Sequence, residues 1–132
     1  MGRNMTDREP PSTVRREPPR ILLTLGLLHG ELRVHHGLSL LGYLVLGTLA
    51  EATAQPMTVA GLAEVLRESG NRMSYLLKGL QAAGLIDRGR RTADRRAVEV
   101  TLTDAGRARF TDAERTAQAL LSRHLGLGKE PA

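Results

Sequence analysis

From Asn71 to Ala83 the apolar residues Met73, Leu76, Leu77 and Leu80 recur at offsets of three, four and seven. At about 100° per residue that spacing puts them on one helical face. Asn71, Ser74, Tyr75 and Lys78 fall on the opposite face, which is polar and carries no acid. Upstream, Val59, Leu62, Ala63 and Leu66 predict a short helix that Thr58 can cap, with Gly61 a mild liability inside it. Leu40 to Ala50 is apolar almost throughout, the mark of a buried helix. Arg20 to His36 predicts a helix with two apolar stripes: Ile21, Leu22, Leu25, Leu28 and Leu32 with His29 and His36 on one, Leu23, Leu27 and Val34 on the other. A helix apolar on two sides needs more than one neighbour.

Gly84 stands where a left-handed residue would stop the Asn71–Ala83 helix, and Leu85-Ile86 begin an extended run. Val98, Val100 and Leu102 then alternate with Glu99 and Thr101, as in a half-buried strand. The two runs predict a two-stranded hairpin with its turn projecting between Arg88 and Arg96. Asp104 to Leu125 predicts a last helix whose stripe (Phe110, Ala113, Ala117, Leu120, Leu121, His124) is thin and Ala-rich, suited to close approach of another helix. Ser69 or Asn71 can cap the helix that follows the turn at Arg67-Glu68.

Charge sharpens this picture. The chain is +5 overall, yet the nine residues from Arg88 to Arg96 hold five Arg (88, 90, 91, 95, 96) against Asp94, a local +4. Most of the remaining excess sits in the first twenty residues, and the rest is close to neutral. So concentrated a charge is a directed electrostatic footprint for a polyanion. Aromatic residues are 2% of the chain, too few for the stacking platforms of a single-strand binder; a duplex does not require them. No nucleophile motif, phosphate-cradling Gly loop or carboxylate pair in an apolar run is present, so no enzyme activity and no cofactor are expected.

Residues 1–19 hold two Pro-Pro pairs and almost nothing apolar, predicting a disordered tail; 20–125 form one folded domain, and 126–132 a flexible end. There is no cysteine, which excludes disulfides and thiol redox sensing. No long uncharged apolar run occurs, so a soluble, cytoplasmic protein without a membrane partner is expected.

The segments LAEVL…NRMSYLLKGLQAAGLIDR and DRRAVEVTLTDAG resemble the winged helix-turn-helix of the MarR family of bacterial transcription regulators, over roughly Leu38 to Ala117. The sharpest part is Asp94-x-Arg96 followed by a strand and Leu102-Thr103-Asp104-Ala105-Gly106. The resemblance implies a mainly α fold with a small β-hairpin wing and dimerisation helices at both ends. It implies a homodimeric repressor in the bacterial cytoplasm, on the nucleoid when bound. A recognition helix (about 71–83) would enter the major groove of a pseudo-palindromic duplex and the wing (88–96) the minor groove. Matched by position, DNA contacts fall to Ser69, Asn71, Arg72, Ser74, Tyr75 and Lys78. Arg96 would insert in the minor groove, with Asp94 bracing the wing by pairing with a nearby Arg, and Arg90, Arg91 and Arg95 would meet phosphates. A small-molecule effector pocket between the first, second and last helices is implied as well. Family members also carry a longer first helix and a further C-terminal helix, both shorter or missing here.

Two alternatives remain. The same surface could serve a protein-interaction adaptor, or a degenerate regulator that no longer binds DNA. His29, His36 and His124 lie on the stripes of the two terminal helices with His35 adjacent; were those helices to meet, their imidazoles could gather for a metal such as zinc. The competing reading is histidines hydrogen-bonded within the core or an interface. No close metal-ligand spacing favours the first.

Overall fold

The computed structural model describes residues 12–52, 56–89 and 97–127, with side chains of the first helix from residue 17 onward. The order is α1 (Ser12–His36), α2 (Leu40–Glu51), β1 (Met57–Thr58), α3 (Val59–Val65), α4 (Gly70–Ala82), β2 (Ile86–Gly89), β3 (Glu99–Leu102) and α5 (Asp104–Leu125). Every helix after the first begins on a Ser or Thr whose hydroxyl accepts from the amide three residues on: Ser39 from Gly42, Thr58 from Gly61, Ser69 from Arg72, Thr103 from Gly106. Each cap satisfies a backbone donor that has no partner inside its helix. Ser69, rather than Asn71, caps α4. Gly61 turns out to serve its cap: a Cβ there would lie 3.1 Å from the Thr58 hydroxyl.

α1 departs most from expectation. The helix starts at Ser12, so residues 12–19, expected to be disordered, are helical, and α1 is 25 residues long rather than short. Pro18 and Pro19 stand inside it, exposed, and neither has an amide to donate to the turn before. Residues 1–11 lie outside the described residues. Among the described side chains of α1, only Thr24, Leu28 and Leu32 are buried, a single row at intervals of four. Of the first apolar stripe, Leu28 and Leu32 are thus buried, while Ile21, Leu22 and Leu25 are exposed. Thr24 is compatible with the apolar row because its hydroxyl donates to the Arg20 carbonyl.

That row packs antiparallel along α5. The contact is pinned at one end by the Arg20 guanidinium donating to the His124 carbonyl, and at the other by a 2.7 Å bond between His36 Nε2 and Thr116 Oγ1. The Arg109 guanidinium also donates to the His36 carbonyl. On α5 the buried residues include Ala113, Ala117 and Leu120, so small side chains let the helices come close. α2 supplies Val45, Leu46 and Leu49 to the core, joined by Leu62, Met73, Leu77, Leu85, Ile86 and Val100. Partial burial, and secondarily the Glu114 carboxylate, raise the Tyr43 phenol above its ordinary pKa. Its ring stacks on Phe110 at 5.4 Å between centroids.

The sheet has three strands in the order β1-β3-β2, all antiparallel, not the two expected. β1 pairs Met57 with Val100 and Thr58 with Glu99, so the residues leading into α3 tie the helix-turn-helix to the hairpin. Where β3 enters α5, one backbone crossing fixes the angle between them. Thr103 donates through its hydroxyl to the Gly84 carbonyl (2.7 Å) and through its amide to the Leu85 carbonyl (3.1 Å). Gly84 itself has φ 78°, as the left-handed end of α4 requires. A Cβ on Gly106 would stand 2.0 Å from the Leu85 oxygen, so only glycine fits there.

Candidate nucleic-acid interface

α3 and α4 meet through a turn with Arg67 at φ 55°, a left-handed conformation that costs a non-glycine residue of the order of 1 kcal/mol. Two backbone bonds hold it, from the Glu68 amide to the Ala63 carbonyl (2.8 Å) and from the Arg67 amide to the Glu64 carbonyl (3.2 Å). Met73, Leu77 and Leu80 anchor α4 to the core, which turns its other side outward. Asn71, Arg72, Tyr75 and Lys78 are exposed on that side, Tyr75 at 82% of its full surface, and Ser74 is half-buried. Ser69 is exposed, but its hydroxyl is engaged by the Arg72 amide, so its capping role is structural. Arg72 sits 3.6 Å from the Glu68 carboxylate in an (i, i+4) pair whose Arg is exposed and whose Glu is half-buried. Nothing in the local pattern of the sequence singles out Glu68.

The hairpin is attached to this helix by the Arg88 guanidinium, whose Nε donates to Gln81 Oε1 at 2.9 Å. A 470 Å³ cleft lies where the hairpin base meets the start of α4, lined by Thr58, Val59, Ala60, Gly70, Asn71, Ser74, Ala97 and Val98. Asn71 and Ser74 are therefore brought together with the residues flanking the hairpin turn. Arg90, Arg91, Asp94, Arg95 and Arg96 lie outside the described residues. Gly70 and Gly79 of α4 are both exposed, and among the described residues a Cβ at either would meet nothing within 4 Å, with neither φ positive. An interior glycine still costs a helix about 1 kcal/mol relative to alanine.

A second cavity, 720 Å³, opens between α1, α2 and the other flank of α4. It is lined by Leu40, Leu41, Leu44, Leu66 and Leu76, with His29, Ser39, Glu68, Arg72 and Tyr75 as its polar members. This is not the place expected for an effector pocket, which was between the first, second and last helices; a smaller 200 Å³ cleft between α2 and α5 is the nearest counterpart there. The difference arises because α1 and α5 pack closely through alanines and leave little room between them. The histidines take separate partners. His29 Nδ1 accepts from the Leu40 amide at 3.3 Å, His35 lies 3.0 Å from Glu31, and His36 meets Thr116. Among the described residues no three potential ligands converge to hold a metal, so His29, His36 and His124 are not brought together.

A three-stranded antiparallel sheet carrying a hairpin, set beside two helices joined by a tight turn, is a winged helix-turn-helix. The sequence model of the MarR family matches residues 36–97, which span α2, α3, α4 and the first strand of the hairpin. That match and the structural likenesses below support a MarR-family winged-helix regulator. The chain is similar in structure to AbsC, a MarR family transcriptional regulator from Streptomyces coelicolor, with a TM-score of 0.79 at 23% identity over 99% of this chain and 86% of that one. It is also similar to wild-type MarR from E. coli, with a TM-score of 0.72 at 22% identity over 89% and 86%. CouR from Rhodococcus jostii RHA1, solved bound to p-coumaroyl-CoA, matches with a TM-score of 0.69 at 25% identity over 80% and 72%. No curated protein matches the chain by sequence. The fold is thus that of MarR-family transcriptional regulators and supports a DNA-binding regulator. Among the described residues, no helix is long and apolar enough to cross a membrane.

Proposed function

We propose that this chain is a homodimeric, sequence-specific transcription repressor that reads a pseudo-palindromic duplex with α4 in the major groove and the 88–96 loop in the minor groove. The observation that carries the reading is the outer face of α4. Asn71, Tyr75 and Lys78 stand exposed on a face to which α4 itself contributes no acid, flanked by the cleft that joins Ser74 to the hairpin base. Amide and hydroxyl groups can read base edges there, while Lys78 and Arg72 meet phosphates. Selecting bound duplexes from a random library should enrich a two-fold symmetric site with half-sites about 10 base pairs apart. No enrichment, together with capture of an acidic protein partner by the same face, would favour the adaptor reading.

The dimer rests on α1. Leu22 (68% exposed), Leu23 (63%) and Val34 (76%), with Ile21, Leu25 and Leu27, give one helix a large apolar surface that its own chain leaves in water. Surfaces of that kind mark association sites, and a symmetric pair would bury it. Changing Leu23 and Val34 to Glu is expected to shift the protein to monomer in sedimentation and to cut duplex affinity by about 100-fold or more, because two linked half-sites become one. Unchanged sedimentation would remove α1 from the interface. The 720 Å³ cavity is the place for an effector: a molecule filling it would touch Arg72 and Tyr75 of the reading helix directly.

A further inference from the structure

α4 carries no acid of its own, yet the residue just before its cap is Glu68. A carboxylate at the edge of a face that meets phosphates repels them, so its place there needs a reason. The backbone around it is fixed: the Glu68 amide donates to the Ala63 carbonyl at 2.8 Å, directly after the left-handed Arg67. Its side chain is half-buried and lines the 720 Å³ cavity. Arg72 starts from a fixed point as well, because its amide donates to the Ser69 hydroxyl at 3.1 Å. Between these two anchored backbones the Arg72 Nε lies 3.6 Å from Glu68 Oε1, while the Arg72 side chain stays 72% exposed. The pair is one-sided: a carboxylate with little freedom holds one edge of a guanidinium that is open to solvent. Arginine presents its N–H donors as a planar fork, so a partner at Nε leaves both terminal nitrogens for a phosphate. A carboxylate beside the start of α4 also favours the helix dipole, but that effect concerns stability alone.

Resting on the duplex-binding reading, we infer that Glu68 is a positioning residue: acting through Arg72, it sets how strictly α4 discriminates between duplexes. An unrestrained arginine, on its long stem, reaches several phosphates and so tolerates several registers of the helix in the groove. Held by Glu68, the fork meets one phosphate in one register, the one in which Asn71, Ser74 and Tyr75 face base edges. The ordering of the side chain is then carried by the free protein and not by the binding step. On a mismatched duplex no readout offsets the repulsion between the carboxylate and the backbone, so the same residue weakens unwanted binding.

The test is Glu68→Gln, Arg72→Ala and the double variant in the full chain, each titrated with two duplexes of equal length, one selected and one of random sequence. Loss of the charge should raise the affinity of Glu68→Gln for the random duplex by about threefold. The ratio of selected to random affinity should fall by about tenfold in the same variant. Arg72→Ala should lower that ratio as much, and adding Glu68→Gln to it should leave the ratio where it stands. A merely structural glutamate would lower the melting temperature and move both affinities together. An unchanged ratio in Glu68→Gln overturns the inference, since the carboxylate would then act only as a charge. So does a further fall of the ratio in the double variant, which would show that Glu68 does not work through Arg72. Should Glu68→Gln fail to fold, Arg72→Ala decides: the side chain is exposed, and an unchanged ratio there overturns the inference as well. If wild-type protein binds neither duplex, the functional reading falls and this inference with it; wild-type binding with an unchanged ratio in the variants overturns this inference alone.

Discussion

Gly106→Ala is expected to be the most damaging single methyl group that can be added to this chain. The new Cβ would lie 2.0 Å from the Leu85 oxygen and 2.9 Å from a Leu102 methyl, and the nearest atoms are backbone, which cannot rotate away. Relief requires α5 to lift from the end of α4. That movement breaks the Thr103 amide bond to the Leu85 carbonyl and strains the hydroxyl bond to the Gly84 carbonyl. Overpacking of this kind costs typically 1–3 kcal/mol, and loss of the accompanying hydrogen bonds adds about 1 kcal/mol each. Against that stands a helix-propensity gain of about 1 kcal/mol for alanine. The balance is a net loss of roughly 2–3 kcal/mol, seen in thermal unfolding as a drop of about 10 °C. A variant that melts at or above the wild-type temperature would show that α5 and the hairpin are not locked at this crossing. The same substitution at Gly79 should move the melting temperature the other way.

The second large effect concerns the hairpin loop. Replacing Arg90, Arg91, Arg95 and Arg96 together with Ala removes most of the charge excess of the chain. If these arginines meet phosphates and the minor groove, duplex affinity at low salt should fall by about 100-fold or more. The slope of log affinity against log salt should flatten by roughly 0.9 for each phosphate that is no longer neutralised. Asp94→Ala alone should weaken binding less, since it would only loosen the loop. An unchanged salt slope in the fourfold variant would take the loop out of the interface.

Much of the fold is legible in the sequence because its signals are local. The offsets of Met73, Leu76, Leu77 and Leu80 give α4, and Thr58 marks the start of α3 through a hydroxyl acting three residues away. Gly84 reveals its left-handed turn by being glycine after a helical run. What the pattern does not give is set by partners distant in the chain. β1 is two residues long, too short for any alternation, and exists only because Val100 and Glu99 pair with it. The inward row of α1 is hidden because a helix apolar on both sides has no polar face to exclude; α5 decides that Thr24, Leu28 and Leu32 go in. The start of α1 at Ser12 runs against the local preference of Pro18-Pro19. At the candidate interface, the outward residues of α4 are readable from period alone. The 720 Å³ cavity is not, since it joins His29, Leu40, Leu66 and Arg72, which periodicity never relates.

The central claim is that the exposed face of α4 lies against duplex DNA. Photo-crosslinking tests it most directly, with a benzophenone side chain placed at Tyr75 and, in a control protein, at the exposed Gln118 of α5. With a selected duplex, crosslinks should form at high yield from position 75 and not from position 118. Crosslinks absent at 75 while the duplex remains bound would contradict the account.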